Sequence, residues 1–259
     1  MSDRIDFMII GAQKAGTTAL FEHLGEEQGV ALSAVKEVHF FDDDAIDWEN
    51  PDYSRYHSQF PPADGNLRGE ATPIYSYWPN ALERIGAYNP QVRLILILRD
   101  PVERAWSHWK MEFSRGAETQ PFSWCVRQGR QRLFVAEPWG HHREFSYVER
   151  GFYGEQVERL FQLFPREQVL MLTADALRRK PAATIASVRS FLGLEVGPAA
   201  QPRESHVGRD MDYGAPLSEA DRAWLRSIYA RDDARLQALT GISFASPPPI
   251  SQSAPVTLG

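Results

Sequence analysis

The sequence predicts an α/β fold of three layers, a central parallel sheet flanked by helices, and three observations carry that prediction. Short apolar runs at 6–10, 68–71, 92–98 and 168–172 alternate with stretches of helical periodicity, the pattern of strands joined by crossover helices. The run Val92-Arg93-Leu94-Ile95-Leu96-Ile97-Leu98 is almost unbroken in its apolar character, as a strand buried on both faces requires. The first run, Phe7 to Ile10, passes into a Gly-rich turn that opens a helix at Thr17.

Taken in chain order, helices are predicted over 17–27, 79–87, 101–113, 153–163, 181–192 and 218–239. Pro101 and Pro181 sit at first-turn positions, where a missing N–H costs nothing, and Gly193 suits a helix stop. The last helix carries Trp224, Leu225, Ile228, Tyr229, Leu236 and Leu239 at helical spacing and should pack on the sheet. Residues 42–66 and 114–150 have little periodicity and read as excursions from it. Residues 246–259, with a triple proline, cannot build a core and are expected to form a flexible tail on a single domain spanning 1–245.

Composition narrows the function. The 259 residues are 43% hydrophobic and 24% charged, enough for one sizeable core. A formal net charge of −6 argues against a broad nucleic-acid surface, so any bound anion must be met locally. Of 28 basic residues only four are lysines, and one of them, Lys14, lies inside the Gly-rich turn. The single Cys125 excludes an internal disulfide and a Cys-based zinc cluster and fits a reducing compartment. The charged N-terminus precedes a run too short for a signal-peptide core, and no stretch approaches bilayer length. The expectation is a soluble, cytoplasmic chain without a membrane partner.

The turn Gly11-Ala12-Gln13-Lys14-Ala15-Gly16-Thr17-Thr18 is built to hold phosphate, with glycines for close backbone approach and helix amides facing an anion. Its glycines have the spacing of an NTP-binding P-loop, yet Thr17 stands where an NTPase carries lysine, and the lysine has moved back to Lys14. Lys14-x-Gly16-Thr17-Thr18 resembles the 5′-phosphosulfate loop of sulfotransferases that use 3′-phosphoadenosine-5′-phosphosulfate (PAPS), which implies a P-loop-like three-layer fold. Four further segments carry the same resemblance. Arg99-Asp100-Pro101…Ser107 follows the central strand, and in the family such an Arg and Ser bind the cofactor's 3′-phosphate. Lys36-Glu37-Val38-His39-Phe40-Phe41-Asp42 is similar to a run of the heparan-sulfate-like members, whose glutamate is the base, with His39 assisting or orienting. A carboxylate of ordinary pKa is a weak base, so burial or neighbouring charge is expected to raise that of Glu37.

Gly69-Glu70-Ala71-Thr72-Pro73-Ile74-Tyr75 matches a Glu-Lys-Thr-Pro motif except at Ala71, where glycosaminoglycan members carry a lysine. Arg150-Gly151-Phe152-Tyr153 opens the family's Gly-x-Tyr helix, and His206-Val207-Gly208-Arg209 resembles the late loop that folds over the nucleotide. The resemblance implies a metal-free site in which Lys14 and Glu37 act, with His39, on the reacting groups. Lys14, Ala15, Gly16, Thr17, Thr18, Arg99, Ser107, Tyr153 and Arg209 would bind PAPS. The acceptor would be a hydroxyl of a small molecule or carbohydrate, and Tyr75, Tyr77, Trp78, Trp139, His141 and His142 are candidates to line its pocket. The alternatives are a P-loop kinase or NTPase, which would need a lysine at 17 and an acid near 99, and a nucleotide- or carbohydrate-binding module without catalysis.

Overall fold

A computed structural model describes residues 4–62, 64–195 and 213–245. Its sheet has five parallel strands, β1 (Phe7–Gly11), β2 (Val30–Leu32), β3 (Leu67–Ala71), β4 (Arg93–Leu98) and β5 (Val169–Thr173), in the order β2-β3-β1-β4-β5. Four strands lie where the apolar runs place them. The fifth, β2, escapes sequence reading because it has three residues, all half-buried, and pairs only with β3 at the sheet's edge.

The helices are α1 (Thr17–Leu24), α2 (Ser54–His57), α3 (Ala81–Tyr88), α4 (Pro101–Arg115), α5 (Phe122–Val126), α6 (Tyr153–Leu163), α7 (Ala174–Arg179), α8 (Pro181–Leu192) and α9 (Glu219–Thr240). Local chemistry sets several ends. Asp100 caps α4 by accepting from the N–H groups of Val102 (3.0 Å) and Glu103 (3.1 Å), Pro101 fills its first position, and Gly116 closes it with φ +79°. Ser218 caps α9 through the Asp221 N–H at 3.1 Å. The first helix stops three residues before its predicted end, at Leu24.

The main core packs β1 and β4, both fully buried over their apolar residues, against α1, α3, α6 and α8. A second apolar cluster joins Val102 and Trp109 of α4, Phe122 of α5, Tyr147 and Val148, and Leu225 and Tyr229 of α9. The excursion 114–150 therefore has apolar anchors of its own, carried by short helical turns and single side chains rather than by a long periodic element. No helix among the described residues is long and apolar enough to cross a membrane. Because every strand runs the same way, the segments following β1, β2, β3 and β4 gather at one sheet edge, where ligands bind in open parallel sheets.

Candidate active site

The turn after β1 is held by its backbone. Gly11 lies so close to Ser76 that a Cβ would meet its Oγ at 2.3 Å, and the Ala12 N–H donates to the Ile97 carbonyl at 2.7 Å. Gly16 adopts φ +100° and leads into α1. The first turn of α1 has neither an acidic residue nor a side-chain cap, so its amide groups and dipole are left to an anion. Lys14 itself has φ +69°, and among the described residues its ammonium meets only the Met111 sulfur, at 3.6 Å. Burial, with the charges of Arg115 and Arg99, pulls its pKa down. Arg99, at the end of β4, donates to the Lys14 carbonyl at 3.1 Å, and its own carbonyl accepts from Tyr153 Oη at 2.9 Å. Neither Lys14 nor Arg99 has a carboxylate ion-pair partner among the described residues.

The segment after β2 is organised differently. The Glu37 N–H donates to the Ala71 carbonyl at 2.9 Å, which fixes that residue beside the end of β3. Its carboxylate takes Lys36 Nζ at 2.5 Å and faces His39 Nε2 at 3.6 Å; His39 Nδ1 in turn meets Asp42 at 2.9 Å. Arg143 closes the row from the far side, binding the buried Asp42 carboxylate and, at 2.5 Å, its carbonyl. Burial pushes the Glu37 carboxyl up, but the His39 and Lys36 contacts outweigh it and bring its pKa to about 2. The sequence expectation of a raised Glu37 pKa is therefore corrected: two cationic neighbours reverse the effect of burial. His39, hydrogen-bonded to Asp42 and then Glu37, is raised to about 9 and is an imidazolium near neutrality.

Backbone strain falls on the same residues. Of four non-glycine residues with positive φ among those described, three are Lys14, Glu37 (φ +65°) and His39 (φ +55°). Each such residue costs on the order of 1–3 kcal/mol, and strain of this kind collects where function over-determines geometry.

The profile of the sulfotransferase domain family matches residues 4–207. The chain belongs to the sulfotransferase family. Over 192 residues it is 31% identical to the human heparan sulfate glucosamine 3-O-sulfotransferase 3B1, covering 73% of this chain and 46% of that one. Over 194 residues it is 31% identical to the human heparan sulfate glucosamine 3-O-sulfotransferase 6, covering 73% and 52%. The chain thus spans about half the length of the curated relatives it matches. A sulfotransferase from Alicyclobacillus acidocaldarius superposes with a TM-score of 0.76 at 26% identity, over 92% of this chain and 96% of that one. The mouse sulfotransferase SULT7A1 complexed with PAP shares the fold, with a TM-score of 0.55 at 13% identity over 91% and 86%.

Within this member of the sulfotransferase family the predicted residues divide. Lys14, Ala15 and Gly16 form the turn that runs into Thr17 and Thr18 at the start of α1, with Arg99 bound to the turn and Ser107 half-buried two turns into α4. Tyr153 is buried behind Arg99 and donates to its carbonyl. Arg209 lies outside the described residues. Tyr75, Tyr77 and Trp78 are buried: Tyr75 is fully enclosed, and the Tyr77 hydroxyl donates to Ser146 Oγ at 2.8 Å. That leaves Trp139 exposed, with His141 and His142 partly so, as surface candidates. Ala71 is wholly buried, and its carbonyl serves Glu37. Sequence reading missed Asp42, Arg143, Arg150 and Gln13 as site residues. Asp42 was visible at the end of the Lys36–Asp42 run; Arg143, about a hundred residues away in an aperiodic segment, gave no local signal.

Proposed function

We propose that this chain, acting as one catalytic domain over residues 1–245, transfers a sulfuryl group from PAPS to a hydroxyl of a carbohydrate or small-molecule acceptor. The observation that carries the reading is Lys14: a partly buried ammonium without a carboxylate partner among the described residues, held in a left-handed turn at an acid-free helix start. The residues fit the donor, because two cations lacking counter-ions among the described residues and a helix N-terminus together match its phosphates. When bound, PAPS supplies a sulfuryl group on a phosphate leaving group.

Lys14 neutralises charge gathering on the departing 5′-phosphate, while Ala15, Gly16, Thr17 and Thr18 hold its oxygens. Arg99 and Ser107 take the 3′-phosphate, with Tyr153 fixing Arg99 and Arg209 closing from the late loop. Glu37 accepts the acceptor proton. With a pKa of about 2 it stays ionised throughout the working range, and it serves as a late acceptor, because the hydroxyl proton becomes strongly acidic as the new S–O bond forms. His39 and Lys36 keep that carboxylate aimed. The heparan sulfate 3-O-sulfotransferase relatives support a carbohydrate acceptor, whereas Ala71 in place of the lysine favours a different one. Single, buried Cys125 suits a reducing, cytoplasmic setting.

The test is calorimetric binding of 3′-phosphoadenosine-5′-phosphate (PAP) against ATP, with and without Mg2+, for wild type and Arg99→Ala. Tight Mg2+-independent binding that Arg99→Ala weakens is expected. Preference for ATP with Mg2+ would overturn the reading in favour of a kinase.

A further inference from the structure

Arg150 is 3% exposed and sits in a 3-10 turn (Glu149–Gly151) directly before α6. A guanidinium buried to that degree normally faces a carboxylate, because removing its charge from water is costly. Here it has none among the described residues. It spends its donors on two segments instead. One nitrogen donates to Gln13 Oε1 at 2.6 Å, in the donor turn next to Lys14. The other donates to the Arg143 carbonyl at 2.6 Å, with a longer contact to the His142 carbonyl at 3.5 Å, while the ring of Tyr77 lies 5.2 Å from the cation.

Arg143 is the residue that grips Asp42 by both carboxylate and carbonyl, and its guanidinium lies 4.4 Å from the Trp78 ring centroid. Asp42 orients His39, and His39 faces Glu37. An unbroken row of polar contacts therefore runs from Gln13 through Arg150, Arg143, Asp42 and His39 to Glu37. The segment in the middle of this row is itself fixed: Arg104, fully buried, binds the Tyr147 carbonyl, and Tyr229 Oη donates to the Val148 carbonyl at 2.9 Å.

We propose that Arg150 is a positioning residue that ties the donor turn to the acceptor base, so that occupation of the turn is transmitted through Gln13 and Arg143 to the carboxylate of Glu37. The inference rests on the PAPS reading of the turn and the assignment of Glu37 as base. Its chemical sense is that in-line transfer needs donor and base in fixed register, and a fork that grips one side by an amide and the other by a carbonyl supplies that register. Lysine could keep the charge but could not span both partners.

The experiment reads the His39 imidazole by NMR, its signal assigned by absence in His39→Gln, during titration with PAP. In wild type, PAP should move the His39 signal. In Gln13→Ala, which removes a half-buried side chain and leaves Lys14 and Arg99 in place, PAP should still bind within a few-fold while the His39 response is lost. Arg150→Lys should lose the response in the same way. In both variants kcat should fall about tenfold to a hundredfold with the donor KM little changed. A His39 response in Gln13→Ala and Arg150→Lys equal to wild type would overturn the coupling while leaving the donor site standing. If PAP fails to bind the wild type at all, the donor reading fails, and the coupling with it.

Discussion

The two halves of the site answer the same problem, charge at a sheet edge, in opposite ways. On the proposed donor side Lys14 and Arg99 have no carboxylate partner among the described residues, and the open end of α1 adds a third unmatched positive pole. On the proposed acceptor side five charges are matched in a row, Lys36 to Glu37, Glu37 to His39, His39 to Asp42, Asp42 to Arg143. An unmatched cation set is costly until an anion arrives, so it is suited to a ligand of fixed, high negative charge. A matched row is already at rest; it can hold a base in one orientation for acceptors that differ in shape. The contrast teaches that donor identity is written in missing partners and base orientation in satisfied ones.

The sharpest way to break the comparison is to remove charge from each half in turn. Lys14→Ala should cost the most, about a thousandfold in kcat, in the range found when one preorganised electrostatic contact to a leaving or developing anion is deleted. Steady-state turnover with PAPS checks it, and unchanged turnover would take Lys14 out of the mechanism. Glu37→Gln comes next, with kcat lower by about a hundredfold and PAP affinity near wild type, because the loss is confined to proton transfer. An equal loss of PAP affinity in Glu37→Gln would mean that the two halves are not separable.

The donor half was the more legible in sequence, and the reason is physical. Its geometry depends on a contiguous turn, so Gly11, Lys14, Gly16 and Thr17 announce it within a few residues, and Arg99 follows the most apolar strand in the chain. The strand and helix pattern was legible for the same reason, since burial repeats along the chain; three-residue β2, the short helices α2, α5 and α7 and the 3-10 turns lack enough periods to register. The acceptor half is assembled across distance. Asp42 meets Arg143 and Arg150 meets Gln13 through contacts 101 and 137 residues apart in sequence. Motif reading therefore singled out Glu37 and His39 but misjudged the direction of the Glu37 pKa, which depends on where Lys36 and His39 point and not on their presence nearby.

A third expected effect sharpens the account of the matched row through pH. The pKa of His39 is raised to about 9 from its ordinary 6.5, chiefly by Asp42 and then Glu37, so its contacts favour the protonated, folded form. Their stabilisation is complete below about pH 6.5 and is lost as pH rises through about 9. Glu37 has the opposite sign: its contribution is present above the ordinary 4.5 and is lost as pH falls through about 2. The Tm advantage of wild type over His39→Gln should accordingly shrink as pH rises between those two His39 values. An advantage that stayed constant there would show that His39 is not held as an imidazolium.

The smallest effect concerns the carboxyl that separates the site from the core. Glu70, at the end of β3, is fully buried and accepts from Tyr56 Oη at 2.6 Å and Thr72 Oγ1 at 2.5 Å, with Tyr75 Oη at 3.3 Å. Burial drives its pKa up to about 7, and the three hydroxyls recover only part of the penalty of charging it. The folded chain then holds a proton that the unfolded chain, with an ordinary pKa of 4.5, has released, so Glu70 lowers stability as pH rises from 4.5 to 7 and adds no further change above that. Glu70→Gln keeps the shape, accepts through its amide oxygen and cannot ionise. Relative to wild type its Tm should therefore improve between about pH 5 and about pH 8, and comparing melts of the two proteins at both pH values removes the titration of groups common to both. The same offset at both pH values would mean that Glu70 is ionised throughout, and that the tyrosine cluster carries a buried anion next to Asp42.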